Sequence, residues 1–330
     1  MKDSPSVIVY AVGGNALVDP TGKEQRADVL GGVVKDVMDL VKRGHRIVLT
    51  HGNGPQVGSL LEMEETARMS RDASSNGATS THHEEQGRGL HAWVAATQSM
   101  IGQQIALALE SEFHLAGMAT TCAVLTTRVE VDPADRAFSM PTKPIGMVLR
   151  KENIPDNWSV KQTAVGLRRV VASPRPNRII EEEVIKTMLT QDGIIICGGG
   201  GGIPVVRNNS GIFIGIDAVI DKDRTSGLLA GCLNADGFII STAVDSIQQN
   251  YGTKDAQRIE ELHLLEAIQS IEDGTFPEGS MGPKVEAMVR AKRLYPKMIV
   301  ALCSPGSAIE AIEGRAGTRI VTGWGDLLSN

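Results

Sequence analysis

Runs of apolar residues recur along the chain, and several of them end at glycines. Residues 6–12 (SVIVYAV) form an almost entirely apolar run that stops at Gly13-Gly14, which is typical of a strand buried in a parallel sheet. Residues 46–50 (RIVLT) form a second run, which leads into the loop His51-Gly52-Asn53-Gly54-Pro55. Similar runs predict five further strands, at residues 120–125, 193–197, 237–243, 297–302 and 319–322.

Between these runs, apolar residues recur at every third or fourth position, as on the buried face of a helix. In residues 24–43 this spacing predicts an amphipathic helix that ends at Gly44. Pro55 suits the first turn of another helix. Four more helices are predicted at residues 91–113, 178–190, 283–294 and 306–313. Because strands and helices alternate, we expect an α/β fold in which helices cover both faces of a mainly parallel sheet.

Two stretches depart from this alternation. Residues 70–90 are polar and rich in small residues, which indicates an exposed insertion. Residues 130–178 are rich in proline and basic residues and have little helical periodicity, so they predict a small lid built from loops and short strands. Since no repeat and no clear linker divides the sequence, we expect a single domain over residues 1–330.

The composition is that of a globular protein, with 42% hydrophobic and 22% charged residues. A net charge of −6 argues against a dedicated nucleic-acid surface, although a local lysine cluster can still bind an anion. The amino-terminal residues lack the features of a signal peptide, and no apolar run is long enough to span a membrane. The four cysteines are scattered without ligand spacing, which predicts reduced thiols in a cytoplasmic protein.

Three glycine-rich segments each follow a predicted strand: Gly13-Gly14-Asn15, Gly52-Asn53-Gly54 and residues 198–202. In an open parallel sheet, ligands bind at the carboxyl ends of the strands. Glycines there let backbone N–H groups approach anionic oxygens. A single pair of glycines after a strand, however, is more often a simple turn. Three segments together favour a phosphate-binding cleft. Neither the dinucleotide fingerprint nor the Walker P-loop is present, which argues against a Rossmann dehydrogenase and a P-loop NTPase.

Three lysines have local settings that set them apart from ordinary surface lysines. Lys143 lies in a turn bracketed by two prolines, and Lys222 and its neighbour Asp223 interrupt an apolar run. Lys284 lies at the predicted start of a helix, where a cation is unfavourable unless an anion is near. Phosphoryl transfer requires positioned positive charge rather than covalent help, so this set predicts a kinase.

The motifs around these residues resemble those of the carbamate kinases, a branch of the amino-acid kinase superfamily. The resemblance spans nearly the whole chain and preserves the order of the motifs. The matching segments are GGNAL (13–17), HGNGPQVG (51–58), VDPAD (131–135), PTKPIG (141–146), VVASP (170–174), GGGGIPVV (199–206), DAVIDKD (217–223) and GSMGPK (279–284).

This resemblance implies a three-layer α/β/α sandwich with a small protruding lid, at about residues 130–175, and a homodimer. It also implies an acceptor-side lobe over residues 1–195 and a nucleotide-side lobe over residues 196–330. The implied reaction is ATP + carbamate = ADP + carbamoyl phosphate with Mg²⁺. In arginine or other carbamoyl-yielding catabolism that reaction runs toward ATP.

The resemblance assigns roles residue by residue. Lys143, Lys222 and Lys284 match the catalytic lysines, and Asp223 matches the acidic residue that organises them. The phosphate and acceptor loops correspond to Gly13, Gly14, Asn15, Gly52, Asn53 and Gly54. The nucleotide is expected to contact Lys222, Lys284, Ala243, Tyr251, Met281 and Pro283. No protein side chains are assigned as metal ligands.

The sequence also departs from the family pattern. His91 follows Leu90 where the family has Asp, and Ser99 follows Thr97-Gln98 where it has Gly. Residues 162–167 lack an acidic, an arginine and an aromatic residue, and both the insertion at 70–90 and the segment 244–249 are unusual. Sequence drift and a different small carboxylate or carbamoyl acceptor both remain open. His82, His83 and His91 are interpreted as solvated residues rather than metal ligands.

Two other functional classes remain as alternatives. One is a kinase of the same superfamily that acts on an amino acid, a nucleoside monophosphate or an isoprenoid phosphate, against which PTKPIG (141–146) and GSMGPK (279–284) speak. The other is a nucleotide-binding paralogue without catalysis, which the presence of all three lysines disfavours.

Overall fold

The computed structural model describes residues 6–13, 27–74, 88–146, 148–149, 154, 158–163, 166–250, 253–276 and 281–323. The helices are α1 (Ala27–Lys42), α2 (Gly54–Ser74), α3 (Leu90–Leu115), α4 (Glu182–Met188), α5 (Lys222–Cys232), α6 (Leu264–Glu272), α7 (Met281–Leu294) and α8 (Ala308–Ile312). Short 3₁₀ turns span Arg136–Phe138 and Gly199–Gly201.

The strands lie between these helices and form one large and three small sheets. They are β1 (Val7–Val12), β2 (Arg46–His51), β3 (Cys122–Val124), β4 (Arg128–Val131), β5 (Lys143–Ile145), β6 (Val160–Thr163), β7 (Gly166–Val171), β8 (Pro176–Ile179), β9 (Ile194–Ile196), β10 (Ile203–Arg207), β11 (Phe213–Gly215), β12 (Gly237–Ser241), β13 (Ile247–Gln249), β14 (Gln257–Ile259), β15 (Glu261–His263), β16 (Ile299–Cys303) and β17 (Thr318–Val321).

The central sheet has eight strands in the order β15-β17-β16-β12-β1-β2-β9-β3. All neighbouring strands pair in parallel except β16 and β17, which are antiparallel. The seven strands predicted from apolar runs are all present, each within two residues of its predicted bounds. The eighth, β15, is only three residues long and was not predicted.

Apolar side chains on both faces of this sheet explain why its strands read as continuous apolar runs. In β1, Val9 and Ala11 pack into the core formed with helices α5, α6 and α7. Ile8, Tyr10 and Val12 point to the other face and pack with α1, α3 and α8. Because side chains alternate along a strand, one strand contributes to both cores, and the predicted three-layer α/β/α arrangement is confirmed.

Strands β4 to β8, which belong to two of the smaller sheets, account for the irregular stretch at residues 130–178. One sheet has the order β11-β10-β4-β8, another β5-β7-β6, and the third pairs β13 with β14. The helix predicted over residues 178–190 is wrong at its start, because Pro176–Ile179 pairs with β4 as strand β8 and α4 begins at Glu182. The pairing of Ile179 with Val129 is a tertiary contact that local periodicity does not reveal.

Across the described ranges, no helix combines the length and the apolar character that crossing a membrane requires.

A buried carboxylate joins α1 to the amino-terminal end of α8. Asp36 is 1% exposed and accepts hydrogen bonds from Tyr10 Oη at 2.6 Å and from the backbone N–H groups of Gly306 and Ala308, both at 2.8 Å. Burial raises the pKa of Asp36, and these hydrogen bonds partly offset that shift. The side chain therefore fixes the loop between β16 and α8 against α1.

Replacing Asp36 with Ala is expected to destabilise the protein by roughly 3 kcal/mol or more, because three buried donors lose their acceptor. Asp39→Ala on the same helix is the matched control. Asp39 pairs with Lys35 at 3.2 Å at the surface, so its loss should cost less than about 1 kcal/mol. Urea denaturation of both variants is the measurement, and equal midpoints would contradict this role for Asp36.

Candidate active site

A cleft of about 610 Å³ opens at the carboxyl ends of the parallel strands. This is the edge at which an open α/β sheet binds ligands. Gly13 follows β1, Gly52 follows β2, Gly200 follows β9 and Thr242 follows β12. The remaining walls come from β5, from Arg168 on β7, from the segment around β13 and from the starts of α2, α5 and α7.

The three lysines singled out from the sequence meet in this cleft. Lys143 Nζ donates to Asp221 Oδ2 at 2.5 Å. Lys222 Nζ and Lys284 Nζ donate to the two carboxylate oxygens of Asp223, at 2.5 and 2.9 Å. These three cations are thus held by two anions, which leaves one net positive charge among the five side chains, and Arg168 adds a second positive charge to the lining. This arrangement suits an anionic ligand.

The turn into α5 places three of these charges. Asp221 ends an apolar segment and caps α5, because its Oδ1 accepts the backbone N–H groups of Asp223 at 3.0 Å and Arg224 at 3.4 Å. Its other oxygen, Oδ2, accepts the hydrogen bond from Lys143 Nζ. Asp221 therefore serves both as a helix cap and as the counter-ion of a lysine from a different sheet.

Burial and charge act in opposite directions on these groups. Burial raises the pKa of Asp221, but the charges of Lys143, Lys284 and Lys222 outweigh it and hold that pKa below its usual value. Burial likewise raises the pKa of Asp223, and Lys222 and Lys284 reverse the shift. Both carboxylates are therefore ionised at neutral pH.

The two lysines that share Asp223 differ. Burial lowers the pKa of Lys222, which is only 9% exposed, and the attraction of Asp223 does not fully compensate. For Lys284 the charge of Asp223 outweighs burial, and its pKa is raised. Asp223 is thus the group that keeps both ammonium ions charged in a water-poor site.

Three helices begin at the cleft and add partial positive charge to it. Gly54 and Pro55 are at the start of α2, Lys222 at the start of α5, and Met281 at the start of α7, and all four line the cleft. Because free backbone N–H groups and the helix dipole both favour anions at a helix amino terminus, the three helices reinforce the lysines.

The loop after β2 is held from below by α3. Asn53 is buried, and its Nδ2 donates to Thr97 Oγ1 at 2.8 Å. Gly200 has φ of +63°, and a Cβ there would lie 2.2 Å from the Asn53 amide, so only glycine fits. Burial lowers the pKa of the neighbouring His51 to about 4, so this imidazole is neutral at pH 7 and adds no charge to the cleft.

The turn that follows Lys143 packs directly on helix α2. A Cβ on Gly58 would lie 1.9 Å from the Cα of Gly146, so the two backbones meet only because residue 58 is glycine. Arg168 Nη2 donates to the carbonyl oxygen of Gly146 at 2.6 Å from the other side. The three-stranded sheet β5-β7-β6 is thereby seated over the cleft, with Lys143 reaching in.

The structure brings most of the expected site residues together. Lining the cleft are Gly13, Gly52, Asn53, Gly54, Lys143, Lys222, Asp223, Ala243, Met281, Pro283 and Lys284. Gly14, Asn15 and Tyr251, together with His82 and His83, lie outside the described residues. Of the predicted glycine segment 198–202, only Gly200 lines the cleft, whereas Gly201 packs against the backbone of Ile220.

Sequence reasoning missed two cleft residues. Asp221 was seen only as a neighbour of Lys222, although an Asp directly before a helix start is a typical cap that could have drawn attention to it. Arg168 directly follows the departures at 162–167 and was not among the predicted site residues. Nothing in its local sequence shows that it faces the cleft.

Among the described residues, several departures from the family pattern lie away from the cleft lining. His91 packs against Gly89 and Gly215, and its Nδ1 lies 3.7 Å from Asp217 Oδ1. Gln162 and Thr163 lie in β6, at one edge of the lid sheet, and Ala164 and Val165 fall outside the described residues. In the segment 244–249, however, Val244 and Gln248 do line the cleft.

No group of three or more His, Cys, Asp or Glu side chains suited to a metal ion occurs among the described residues. All four oxygens of Asp221 and Asp223 are already engaged by lysines or backbone N–H groups. The described part of the cleft therefore suits a metal ion that arrives on a phosphate ligand rather than one held by a protein cage.

Comparison with known proteins adds a family to this geometry. Residues 6–301 match the model of the amino acid kinase family. The chain is 39% identical to carbamate kinase 3 of Staphylococcus aureus (strain USA300), over 96% of this chain and 99% of that protein. It is 38% identical to carbamate kinase of Staphylococcus haemolyticus, with 96% and 99% covered.

Solved structures of carbamate kinases have the same fold as this chain. Carbamate kinase from Giardia lamblia bound to AMP-PNP superposes with a TM-score of 0.82 at 34% identity, covering 97% of this chain and 99% of that one. The same enzyme bound to citric acid gives a TM-score of 0.83 at 33% identity, with the same coverage. The chain therefore belongs to the carbamate kinases of the amino acid kinase family.

Proposed function

We propose that the protein is a carbamate kinase, which catalyses ATP + carbamate = ADP + carbamoyl phosphate. The observation that carries the proposal is the cleft in which Lys143, Lys222 and Lys284 converge on two ionised carboxylates at the starts of three helices. The relatives named as carbamate kinases support the choice of acceptor, since they match over nearly their whole length.

The chemistry needs no general base. An oxygen of the carbamate anion attacks the γ-phosphorus of ATP, the bond from that phosphorus to the β-phosphate oxygen breaks, and ADP leaves. In reverse, a β-phosphate oxygen of ADP attacks carbamoyl phosphate and carbamate leaves. No proton has to move in either direction. The enzyme therefore has to align the attacking and leaving oxygens with the phosphorus and to stabilise the negative charge of the transition state.

The lysines have separate parts in this proposal. Lys222, at the start of α5, and Lys284, on α7, share Asp223 and so bind the nucleotide phosphates as a pair. Lys143 reaches from the lid strand β5 and binds the transferred phosphoryl group. Asp221 and Asp223 do not touch the reacting atoms; they hold the ammonium ions in place and charged.

The walls of the cleft suggest which substrate binds where. The loops after β1 and β2, with Gly13, Gly52, Asn53 and Gly54, form the acceptor and phosphoryl end, to which Gly14 and Asn15 are expected to belong. Ala243, Met281 and Pro283 lie toward the nucleotide, where Tyr251 is also expected. We therefore divide the chain into an acceptor lobe (1–195), with a lid at about 130–175, and a nucleotide lobe (196–330).

Mg²⁺ is proposed to enter with ATP or ADP. When bound, it supplies positive charge to the β- and γ-phosphate oxygens. Because both cleft aspartates already hold lysines, the nucleotide phosphates and water would provide most of its ligands. The lysines would neutralise the remaining negative charge of the phosphate groups.

Two alternatives are weaker on the same observations. A different acceptor would require changes in the cleft, yet His91, Gln162 and Thr163 do not line it. A non-catalytic paralogue would have no need to keep three charge-paired lysines together in one cleft. We also propose a cytoplasmic role in arginine or other carbamoyl-yielding catabolism, with flux toward ATP.

We also propose that the protein is a homodimer through α3 and β3. Met100 and Leu107 are 51% and 58% exposed and lie two turns apart on the same side of α3. The other side of α3 packs on the edge strand β3, where Val124 is 39% exposed and lies against Gly102. An apolar stripe beside an open sheet edge is a surface that association would cover.

The function is tested by measuring ATP formation from ADP and carbamoyl phosphate with Mg²⁺. Wild type should turn over, and Lys222→Met should lose at least about a hundredfold in kcat because a preorganised charge at the phosphates is removed. Lys292→Met is the matched control: Lys292 is also buried, but its Nζ donates to Met298 O away from the cleft, so kcat should be kept. A folded wild type that binds ADP without forming ATP would contradict the proposal.

The dimer is tested by light scattering after size-exclusion chromatography. Wild type should elute at about twice 35.2 kDa, and Leu107→Glu should shift it toward the monomer, since a charge would be buried in the interface. Val184→Glu places the same charge on an exposed apolar position of α4 and should leave the mass unchanged. A monomeric wild type, or a dimer that Leu107→Glu leaves intact, would disprove this interface.

A further inference from the structure

One of the four basic side chains that line the cleft is not paired with a carboxylate. Lys143, Lys222 and Lys284 each hold an aspartate, as described above. Arg168, on β7, makes no ion pair with any acidic residue in the described part of the chain. It is therefore the one of these four cleft cations that makes no ion pair with a carboxylate of the described residues.

The hydrogen bonds of Arg168 are also incomplete. Nη2 donates to the carbonyl oxygen of Gly146 at 2.6 Å, while Nε is buried and has no acceptor among the described residues. Burial lowers the pKa of this guanidinium, and no described carboxylate offsets the shift. Since a guanidinium stays protonated and burying its charge unpaired is costly, the site is arranged for an anion that comes from outside the protein.

The position of Arg168 identifies the end of the substrate it can reach. It lies on β7, which pairs with the Lys143 strand β5, so it enters the cleft from the lid. The nucleotide-side lining, around Ala243 and Met281, comes from the other lobe. Arg168 is thus placed with the acceptor rather than with the base of the nucleotide.

The neighbouring arginine provides a contrast. Arg169 stacks its guanidinium 4.2 Å from the ring of Trp158, lies in a separate small pocket with Glu62, and does not line the cleft. The nearby acids Asp217 and Glu65 partly offset the effect of burial on its pKa. Arg169 thus has an aromatic partner and nearby acids, whereas Arg168 has the carbonyl oxygen of Gly146 and, among the described residues, no carboxylate.

We propose that Arg168 binds the carboxylate of the acceptor and so selects a small planar carboxylate such as carbamate. This rests on the proposed kinase function. The planar guanidinium matches a carboxylate in two parallel hydrogen bonds, which an ammonium ion does not reproduce. The bond from Nη2 to Gly146 orients the group and leaves Nη1 and the second hydrogen of Nη2 for the ligand.

The same contact links acceptor binding to the phosphoryl site. Gly146 belongs to the turn that follows the Lys143 strand and rests on Gly58 of α2. An acceptor held by Arg168 therefore lies on the same rigid turn that positions Lys143. This keeps the attacking oxygen and the lysine in fixed relation.

The test is the kinetics of Arg168→Met and Arg168→Lys in ATP formation from carbamoyl phosphate. In Arg168→Met the KM for carbamoyl phosphate should rise at least about tenfold, the KM for ADP should stay within about twofold, and Arg168→Lys should recover only part of the loss. An unchanged KM for ADP also shows that the variant is folded. Arg169→Lys is the matched control and should leave both KM values unchanged.

The forward reaction separates the carboxylate from the phosphate. The KM for carbamate, supplied as ammonium bicarbonate, should rise in Arg168→Met, while inhibition by inorganic phosphate should stay as in wild type. Weakened phosphate inhibition with an unchanged KM for carbamate would overturn the assignment, and so would a loss confined to kcat. If the wild type itself forms no ATP, the proposed function fails and this assignment fails with it. If the wild type forms ATP but the Arg168 variants keep its KM for carbamoyl phosphate, this assignment alone fails and the proposed function stands.

Discussion

The site depends on the carboxylate of Asp223, which holds Lys222 on one oxygen and Lys284 on the other. Burying two ammonium ions side by side is unfavourable, both because they lose water and because they repel each other. One ionised carboxylate between them removes most of that repulsion. Burial lowers the pKa of Lys222, and the charge of Asp223 opposes that shift, so this carboxylate favours the charged form that a phosphate requires.

The fold supplies what this pair needs. The carboxyl ends of β1, β2, β9 and β12 meet at one edge of the sheet, and three helices begin there. Asp221 connects this frame to the lid, because it caps α5 with one oxygen and holds Lys143 with the other. A single turn of chain therefore sets the geometry of charges that come from α5, α7 and β5.

Much of this was predictable from local sequence. The buried strands were found because residues on both faces are apolar. The three lysines were found because their local settings are unusual: a proline-bracketed turn for Lys143, an apolar run for Lys222 and a helix start for Lys284. Other features were not predictable, because they depend on contacts between residues that are distant in the sequence. Strand β8 pairs with the distant β4, and Arg168 faces the cleft only because β7 pairs with β5. Three-residue strands such as β15 are too short to show a periodic pattern of apolar residues.

The most direct test of the account is a double-mutant cycle on Lys143 and Asp221, measured as kcat/KM for ATP formation. Asp221→Asn keeps a side chain that can cap α5 but loses the charge that holds Lys143. If the carboxylate acts through the lysine, Asp221→Asn should be costly alone and add little to Lys143→Met, with a coupling of at least about 1 kcal/mol. Fully additive losses would contradict the claim that the aspartates work by holding the lysines.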